Sequence, residues 1–369
     1  MKRIGVLVVI VAAGAALSSC SFGRVVYHNV SEIDDFEFMP CRELTASPEP
    51  FRFSLPGDPE NALVQEKRQE LNAFHERNDT TALLIIKDDV IVFENYYQGY
   101  DRSTPSMSFS TAKSILSILV GCAIDDGYLE SVQEPVTRYV PELAENRYDT
   151  VTLLHLLQMT SGIAYKETDN PFGRHPRFYY GNHLERKLLR LRLKRKPGEK
   201  YEYSSGGNQL LGLVLARAIA PVTITEYMQK RLWNPLGMEF DGKWVVDQEN
   251  GIEKTFCGVV ACARDFAKFG RLYLHEGNWN GAPIVSRDWV SASTRVDESD
   301  GSVWNYQYQW WLVDRDSRDF TTIGHLGQYI YVSPENGVII VRLGRSRGTL
   351  KSAEWTAYLK GLAEDMGRP

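Results

Sequence analysis

The sequence lacks the features by which nucleic-acid-binding, metal-binding and repeat proteins are recognised. Its 42 lysines and arginines are outnumbered by 47 aspartates and glutamates, so the chain of 369 residues has a formal net charge of -5. A nucleic-acid-binding domain usually carries an excess of basic residues, and no zinc-finger spacing, H-E-x-x-H motif or internal repeat occurs here. We therefore expect no nucleic acid partner and no metal site.

Cysteine is scarce, and the five cysteines form no disulfide framework. They occupy positions 20, 41, 122, 257 and 262, and no two of them form a C-x-x-C pair. Cys122 lies in a helical apolar pattern, which favours a packing role. Cys257 and Cys262 either pair with each other or stay free, and their spacing does not decide between these alternatives.

Long apolar runs are also missing, apart from one at the N-terminus. Lys2 and Arg3 precede an apolar run at 4–17, which is too short to cross a bilayer but suits the hydrophobic part of a signal peptide. The run ends in Leu-Ser-Ser-Cys, which resembles the bacterial lipobox, so we expect residues 1–19 to be a signal peptide and Cys20 to be lipidated. This predicts a cell-envelope protein anchored to the membrane by lipid, on the periplasmic face of the outer membrane in a Gram-negative host. An ordinary signal peptide with an incidental cysteine is the alternative.

The remaining chain divides into segments with different secondary-structure patterns. We expect a tether and N-terminal extension at 20–60, an α/β sheet domain made of 61–105 and 301–369, and a mostly helical domain at 106–300. β-Branched and aromatic runs predict strands at 81–86, 90–97, 306–313, 329–333 and 337–343. Apolar residues at helical spacing predict helices at 65–76, 110–125, 152–159, 184–193, 208–219, 224–232, 263–274 and 353–366.

These patterns predict a mixed α/β fold (α+β) in which strands from both ends of the globular part share one sheet. Helices flank that sheet, and an inserted, mostly helical lobe lies beside it. Because ligands commonly bind in a groove between two such layers, we expect the functional site there.

The first candidate site is Ser110-Thr111-Ala112-Lys113, at the start of the strongest helical pattern. Residues three apart on a helix lie on the same face, so a lysine at this spacing can take the proton of a serine hydroxyl. The backbone N–H groups at the start of the helix also favour developing negative charge. Ser110 is the only serine with a lysine three residues on. A surface cap followed by an exposed lysine is the alternative interpretation.

Two further segments carry groups that could act with this serine. Tyr203 lies in a run rich in tyrosine, serine and glycine at 197–212, and a phenol held among cations can exchange a proton with a serine. The segment 324–332 reads Gly-His-Leu-Gly-Gln-Tyr-Ile-Tyr-Val, and a glycine that enters a strand lets a substrate approach the backbone. An N–H group just after this glycine could form one half of an oxyanion hole. For the tyrosines, an aromatic strand edge is the alternative.

Together, the three segments resemble the serine β-lactamase/penicillin-binding-protein-like superfamily. Its signature is S-x-x-K, then Y-x-N, then a K-T-G-like strand near the C-terminus, and both the order and the wide spacing match here. The segments 153–162 and 263–270 are also similar to the helix-to-turn segment and the later helix of that superfamily. The resemblance covers roughly residues 80–345, and it implies a β-lactamase/transpeptidase-like fold.

Two departures from the signature indicate a particular branch of the superfamily. His325 stands where the K-T-G lysine is expected, and a mostly neutral histidine holds a substrate carboxylate poorly, which argues against an efficient β-lactamase. Ser205 stands in place of the Y-x-N asparagine. Both departures, together with the run 327–332, resemble the esterase and 6-aminohexanoate-dimer hydrolase branch, which cleaves esters or amides.

The resemblance implies a role for each candidate residue. Ser110 attacks an ester or amide carbonyl of a small-molecule or peptide-like substrate, while Lys113 and Tyr203 move its proton. The N–H groups of Ser110 and Gln328 bind the oxyanion, and no metal or other cofactor takes part. The other residues expected to bind substrate are Gly327, His325 and Ser205. The alternatives are a DD-peptidase or cell-wall amidase, a weak β-lactamase, and a non-catalytic envelope lipoprotein that binds a ligand.

A second serine motif, Gly344-Arg345-Ser346-Arg347-Gly348, matches the nucleophile elbow of α/β-hydrolases. Those enzymes need an acidic residue and then a histidine after the serine in chain order, and no histidine follows Ser346. We therefore interpret this segment as a strand-to-helix turn.

Overall fold

The computed structural model of the protein describes residues 30–55, 62–168, 170 and 173–367. The predicted signal peptide and Cys20 lie outside the described residues. Within these ranges, no helix combines the length and the apolar character needed to cross a membrane.

The described chain alternates short helices and strands. Its α-helices are α1 (Ala62–Arg77), α2 (Thr111–Asp125), α3 (Leu153–Leu157), α4 (Arg174–Tyr179), α5 (Leu184–Leu188), α6 (Ser205–Ala218), α7 (Ile224–Met228), α8 (Ala263–Leu274), α9 (Arg287–Thr294) and α10 (Ser352–Gly367). Its strands are β1 (Cys41–Leu44), β2 (Thr80–Lys87), β3 (Val90–Tyr96), β4 (Ser106–Met107), β5 (Gly242–Val245), β6 (Val259–Ala261), β7 (Asn278–Trp279), β8 (Ala282–Pro283), β9 (Tyr306–Gln307), β10 (Trp310–Leu312), β11 (Phe320–Thr321), β12 (Tyr329–Ser333) and β13 (Val338–Gly344).

The largest sheet joins strands from both ends of the globular part. Its seven strands run in the order β3-β2-β13-β12-β11-β10-β9, and neighbouring strands are antiparallel. β2 lies directly beside β13, with Ile85 opposite Ile340, although the helical segment separates the two strands in the sequence. The prediction of one mixed sheet made from both chain ends is therefore confirmed.

Helices cover both faces of this sheet. Leu83 and Ile85 pack with the α1 and α10 side, whereas Leu84 and Ile86 belong to the core that contains α2 and α8. Successive side chains of a strand point to opposite faces, so β2 reads as an unbroken apolar run because both of its faces are buried.

The helix α2 is the central element of the second layer. Its residues from Thr111 to Ala123 are all buried. A Cβ added at Gly121 would lie 2.7 Å from the indole of Trp289, so the helix backbone is in direct contact with that ring. This close packing leaves α2 little freedom, and it holds Ser110 at the helix N-terminus in one place.

A second, four-stranded sheet was not expected from the sequence. Its strand order is β1-β5-β6-β4, and it lies largely within the segment expected to be mostly helical. β1 also draws part of the stretch expected to be a tether into the globular body. The four strands contain only two to four residues each, too few to show an alternating pattern in the sequence.

Two predicted elements are wrong in extent. The helix predicted at 184–193 ends at Leu188, because the following residues pair with another segment: the Ala164 N–H donates to the Arg192 carbonyl at 2.8 Å. The strand predicted at 306–313 is instead the hairpin β9–β10, with Tyr308 and Gln309 at φ values of 44° and 72°. The Gln309 amide donates to the Leu156 and Leu157 carbonyls at 2.9 Å, which ties the turn of the hairpin to α3.

The open question about Cys257 and Cys262 is also answered. Every cysteine in the described ranges is a free thiol. Cys122 is buried in α2, where its Sγ lies 3.4 Å from the Ile284 carbonyl oxygen, which agrees with the predicted packing role.

Candidate active site

A cavity of about 810 Å³ opens between the N-terminus of α2 and the chain that enters β12. Six aromatic side chains line it: Phe109, Tyr179, Tyr180, Tyr203, Phe256 and Trp311. Ser110 and the segment Gly324, His325 and Leu326 also line it, so the structure brings three of the sequence motifs to one place. A concave, largely apolar wall with a few convergent polar groups is the usual form of a small-molecule site.

Ser110 is presented to this cavity by a strained turn. Phe109, the preceding residue, has φ 46°, a left-handed conformation that is uncommon for a bulky residue and that must be held by its surroundings. The Ser108 N–H donates to the Val259 carbonyl at 2.8 Å, and the Phe109 ring packs edge-to-face on His325 with centroids 5.4 Å apart. The turn thus enters α2 with Ser110 at the N-cap, directly before the first helical residue, where backbone N–H groups lack partners within the helix.

Lys113 is buried beneath Ser110, with only 1% of its surface exposed. Its Nζ donates to Ser110 Oγ at 2.8 Å and to the Phe256 carbonyl at 3.1 Å. The same Nζ lies 4.9 Å from the ring centroid of Tyr203. The predicted serine, lysine and tyrosine therefore form one contiguous cluster, although Tyr203 is far from the other two in the sequence.

Tyr203 is fixed by other aromatic side chains. Its ring stacks on Trp311 with centroids 5.9 Å apart and packs edge-to-face on Tyr306 at the same distance. Aromatic pairs in these geometries contribute about 0.5–1.5 kcal/mol each beyond burial, which is enough to favour one ring orientation. Trp311 belongs to β10, so the hairpin that the sequence analysis missed supports the tyrosine.

The segment before β12 is a tight turn rather than the first part of a strand. His325–Gly327 forms a short 3-10 turn with Leu326 at φ 61° and Gly327 at φ 87°. The Gly324 N–H donates to the Gln328 carbonyl at 2.7 Å, which closes the turn. The Gln328 side chain points away from the cavity, because its Nε2 donates to the Gly344 carbonyl at 2.7 Å. Gly327 and Gln328, both expected to bind substrate, follow the lining residues Gly324, His325 and Leu326 but are not among the lining residues themselves.

Ser205, the residue in place of the Y-x-N asparagine, lies behind the cavity wall. It is buried as the first residue of α6 and is not among the lining side chains. Its Oγ finds no hydrogen-bond partner within the described ranges, while its backbone N–H donates to Glu167. The structure therefore connects Ser205 to the site through its backbone.

Glu167 and His175 line the cavity and were missed by the sequence analysis. His175 Nδ1 lies 2.9 Å from Glu167 Oε2 and 3.1 Å from the Tyr165 hydroxyl. Burial raises the pKa of Glu167, but the hydrogen bond from His175 and the positive charges of His175 and Lys113 outweigh burial and lower that pKa to about 2. The site thus contains a carboxylate that stays ionised and interacts with Lys113. Neither residue stands in a motif with the serine, so no spacing in the sequence could have indicated them.

The motif around Ser346 has the surroundings expected of a turn. Ser346 follows β13, and its hydroxyl contacts Asp79 rather than a histidine. Among the described residues, Ser346 does not line the cavity, although its neighbour Arg347 does.

The fold and the cavity together define a β-lactamase/transpeptidase-like protein with a serine-lysine-tyrosine cluster in its central groove. The chain belongs to the beta-lactamase family, whose sequence profile matches residues 63–364. Among curated proteins it is similar to 6-aminohexanoate-dimer hydrolase of Paenarthrobacter ureafaciens, with 28% identity over 318 residues and 79% of each chain covered. The family and this relative identify the protein as a hydrolase.

Solved structures show the same fold. A Bacillus anthracis protein provisionally assigned as a 6-aminohexanoate-dimer hydrolase superposes with a TM-score of 0.76 at 23% identity, covering 92% of this chain and 94% of its own. A family VIII carboxylesterase superposes with a TM-score of 0.62 at 15% identity, covering 84% of this chain and 97% of its own. Both likenesses confirm the predicted fold class.

Proposed function

We propose that the protein is a serine hydrolase that cleaves an ester or amide bond through an acyl-enzyme, with Ser110 as the nucleophile. The observation that carries this proposal is the 2.8 Å contact between Lys113 Nζ and Ser110 Oγ at the wall of a ligand-sized cavity. A nucleophile and a base within hydrogen-bond reach, with a third group beside the base, is the recurring arrangement of covalent catalysis.

The arrangement supports the following steps. Lys113, in its neutral form, takes the Ser110 proton directly or by way of Tyr203 while Oγ attacks the substrate carbonyl. The carbonyl oxygen becomes an oxyanion that accepts hydrogen bonds from the N–H groups of Ser110 and Gln328. Collapse of this intermediate releases the alcohol or amine, which takes the proton back from the Lys113–Tyr203 pair. A water molecule then attacks the acyl-enzyme by the same route in reverse and frees Ser110.

Glu167 has an electrostatic part in this scheme. Its carboxylate stabilises the positive charge that Lys113 carries whenever the Ser110 proton is on the lysine, because the two groups interact within a buried site. His175 and the Ser205 N–H hold the carboxylate in place.

For the substrate, the site favours an ester or amide over a β-lactam. His325 stands at the cavity wall where a lysine would hold a β-lactam carboxylate. The name of the Paenarthrobacter ureafaciens relative supports amide cleavage, and the name of the carboxylesterase supports ester cleavage. The lipobox-like sequence at Cys20 supports a lipid-anchored location in the cell envelope, where such a substrate would be met.

The test is covalent labelling by a fluorophosphonate, read out as intact protein mass on the full chain. We expect one adduct on the wild type, none on Ser110→Ala, and an unchanged adduct on Ser346→Ala, which removes the serine of the other motif. Hydrolysis of p-nitrophenyl esters and amides by the same three proteins should follow the labelling. A folded wild type that takes no adduct, or a Ser110→Ala variant that is labelled equally, would contradict the proposal and favour a non-catalytic binding protein.

A further inference from the structure

Arg342 is a buried cation behind the active-site turn. It lies on β13 with none of its surface exposed. No carboxylate in the described ranges comes within ion-pair distance of it, and the negative charge of Asp79 acts on it only from farther away. Burial lowers the pKa of Arg342 to about 9, which leaves the guanidinium charged at neutral pH. A buried charge without an ionic partner is expensive, and such a group is kept in a fold where it performs a function.

All five N–H groups of Arg342 find an acceptor. Nη1 donates to the carbonyl oxygens of Leu326 at 3.0 Å and Gly327 at 2.7 Å. Nε and Nη2 donate to three further acceptors, which are Thr80 Oγ1 and the carbonyl oxygens of Asn78 and Ser346. The guanidinium carbon also lies 4.4 Å from the ring centroid of Trp355. The guanidinium is therefore held in one orientation, and its Nη1 group is directed at the turn that borders the cavity.

The Gly327 carbonyl and the Gln328 N–H belong to the same peptide group. Because a peptide is planar and its C=O and N–H point in opposite directions, fixing the carbonyl also fixes the direction of the N–H. Arg342 is not among the cavity-lining residues, whereas Gly324, His325 and Leu326 are. The guanidinium thus holds this peptide, which directly follows the lining residue Leu326, from the side opposite the Gln328 N–H.

Two glycines make room for this contact. A Cβ at Gly327 would lie 2.1 Å from Arg342 Nη1, and a Cβ at Gly344 would lie 2.4 Å from the same atom. Gly344 also bonds the Gln328 side chain through its carbonyl at 2.7 Å and through its N–H at 3.1 Å. The peptide is therefore held at two points, by Arg342 on its carbonyl and by Gly344 on the side chain that follows.

We propose that Arg342 is a positioning residue that orients and polarises the Gly327–Gln328 peptide, so that the Gln328 N–H is a stronger donor to the oxyanion. This proposal rests on the hydrolase mechanism given above. A cation on the carbonyl oxygen draws electron density through the peptide and makes its N–H more positive, as in other chains of hydrogen bonds. Arg342 itself touches no substrate and acts through the peptide alone.

The test replaces Arg342 and compares an oxoester with the matching thionoester, p-nitrophenyl acetate and its thiono analogue. Sulfur is a weak hydrogen-bond acceptor, so the thionoester gains little from an oxyanion donor. Loss of one such donor lowers kcat by about 10²–10³-fold. For Arg342→Met we expect a fall of about 10²-fold in kcat for the oxoester, a KM within about threefold of wild type, and a smaller fall for the thionoester. Arg342→Lys, which keeps a cation, should recover part of the oxoester rate.

A control separates this effect from a general loss of stability. Leu359→Ala removes a buried side chain from the same face of the sheet without touching the turn. We expect it to lower Tm while leaving the ratio of oxoester to thionoester rates as in wild type. If Arg342→Met does not fold, Arg342→Lys and Gly327→Ala, which intrudes on Nη1, carry the same comparison.

The outcomes distinguish this proposal from the proposed function. The role of Arg342 would be overturned if kcat fell equally for the oxoester and the thionoester. It would also be overturned if Arg342→Met folded and kept the wild-type oxoester rate. In either case, fluorophosphonate labelling of Ser110 would remain, and the proposed function would stand. If kcat for Arg342→Lys is no higher than kcat for Arg342→Met, the proposal that Arg342 polarises the peptide would be overturned. Absence of Ser110 labelling in the wild type would instead remove the mechanism on which the proposal rests.

Discussion

Replacing Glu167 by glutamine should destabilise the protein at neutral pH and lose that effect in acid. The change keeps the size of the side chain and an acceptor for the Ser205 N–H, but it removes the negative charge. The pKa of Glu167 falls from 4.5 to about 2 in the folded protein. Each pKa unit corresponds to about 1.4 kcal/mol, so the shift accounts for about 3 kcal/mol. Because the side chain is 32% exposed, solvent screening reduces the expected contribution to about 1–2 kcal/mol.

The sign of the pH dependence follows from the lowered pKa. A carboxylate whose pKa is lower in the folded state stabilises the fold fully above its unfolded pKa. That stability is lost as pH falls from 4.5 toward the folded value of about 2. The difference in unfolding free energy between wild type and Glu167→Gln should therefore be about 1–2 kcal/mol at pH 7 and less than about half of that at pH 3.

Urea unfolding followed by tryptophan fluorescence, at pH 7 and pH 3, measures this difference. Glu142→Gln is the matched control, because Glu142 forms an exposed ion pair with Arg217 at 3.2 Å, and its loss should change stability by less than about 0.5 kcal/mol. The reasoning is refuted if Glu167→Gln is as stable as wild type at pH 7. It is also refuted if the difference is as large at pH 3 as at pH 7.

Three further predictions concern the site and the core. Tyr203→Phe should lower kcat for an ester by about 10²–10⁴-fold with little change in KM in a steady-state assay. Tyr201→Phe is the control and should leave both constants near wild type, because the Tyr201 ring packs on Tyr306 outside the cavity lining. His325→Lys supplies a cation at the cavity wall and should raise kcat/KM for nitrocefin, which carries a carboxylate, relative to p-nitrophenyl acetate by about tenfold; an unchanged ratio would show that this position does not select against β-lactams. Gly121→Ala should destabilise the protein by about 1–3 kcal/mol in urea unfolding, because the added Cβ would lie 2.7 Å from Trp289. Gly361→Ala on α10 should not destabilise it, because a Cβ added there has no neighbouring atom within 4 Å.

Local patterns correctly predicted the helix α2 and the proximity of Ser110 to Lys113. Ser110 and Lys113 are three residues apart on one helix, and helical geometry alone brings their side chains together, as the 2.8 Å contact shows. The helix predicted at 263–274 matches α8, and the strand predicted at 329–333 matches β12. Each of these elements has an apolar or β-branched pattern that its own sequence specifies.

The errors lie where long-range contacts override local preference. The residues after Leu188 continue a helical pattern in the sequence, but the chain turns there, and Leu193 pairs with Ile163 instead. The hairpin of β9 and β10 depends on the Gln309 side chain, which bonds α3 from a distant part of the chain. A propensity read from neighbouring residues contains no information about such partners.

The sequence by itself determined the family, the sheet built from both chain ends and the identity of Ser110, Lys113 and Tyr203 as candidates. The order of the motifs and the periodicity of apolar residues are properties of the sequence, so they can be recognised without a structure. Only the tertiary structure placed Glu167 and His175 beside Lys113, turned the Ser205 side chain behind the cavity wall and set Arg342 against the Gly327 carbonyl. These contacts join residues that are distant in sequence. Their charges and hydrogen bonds interact strongly only when folding brings the groups together and burial excludes water.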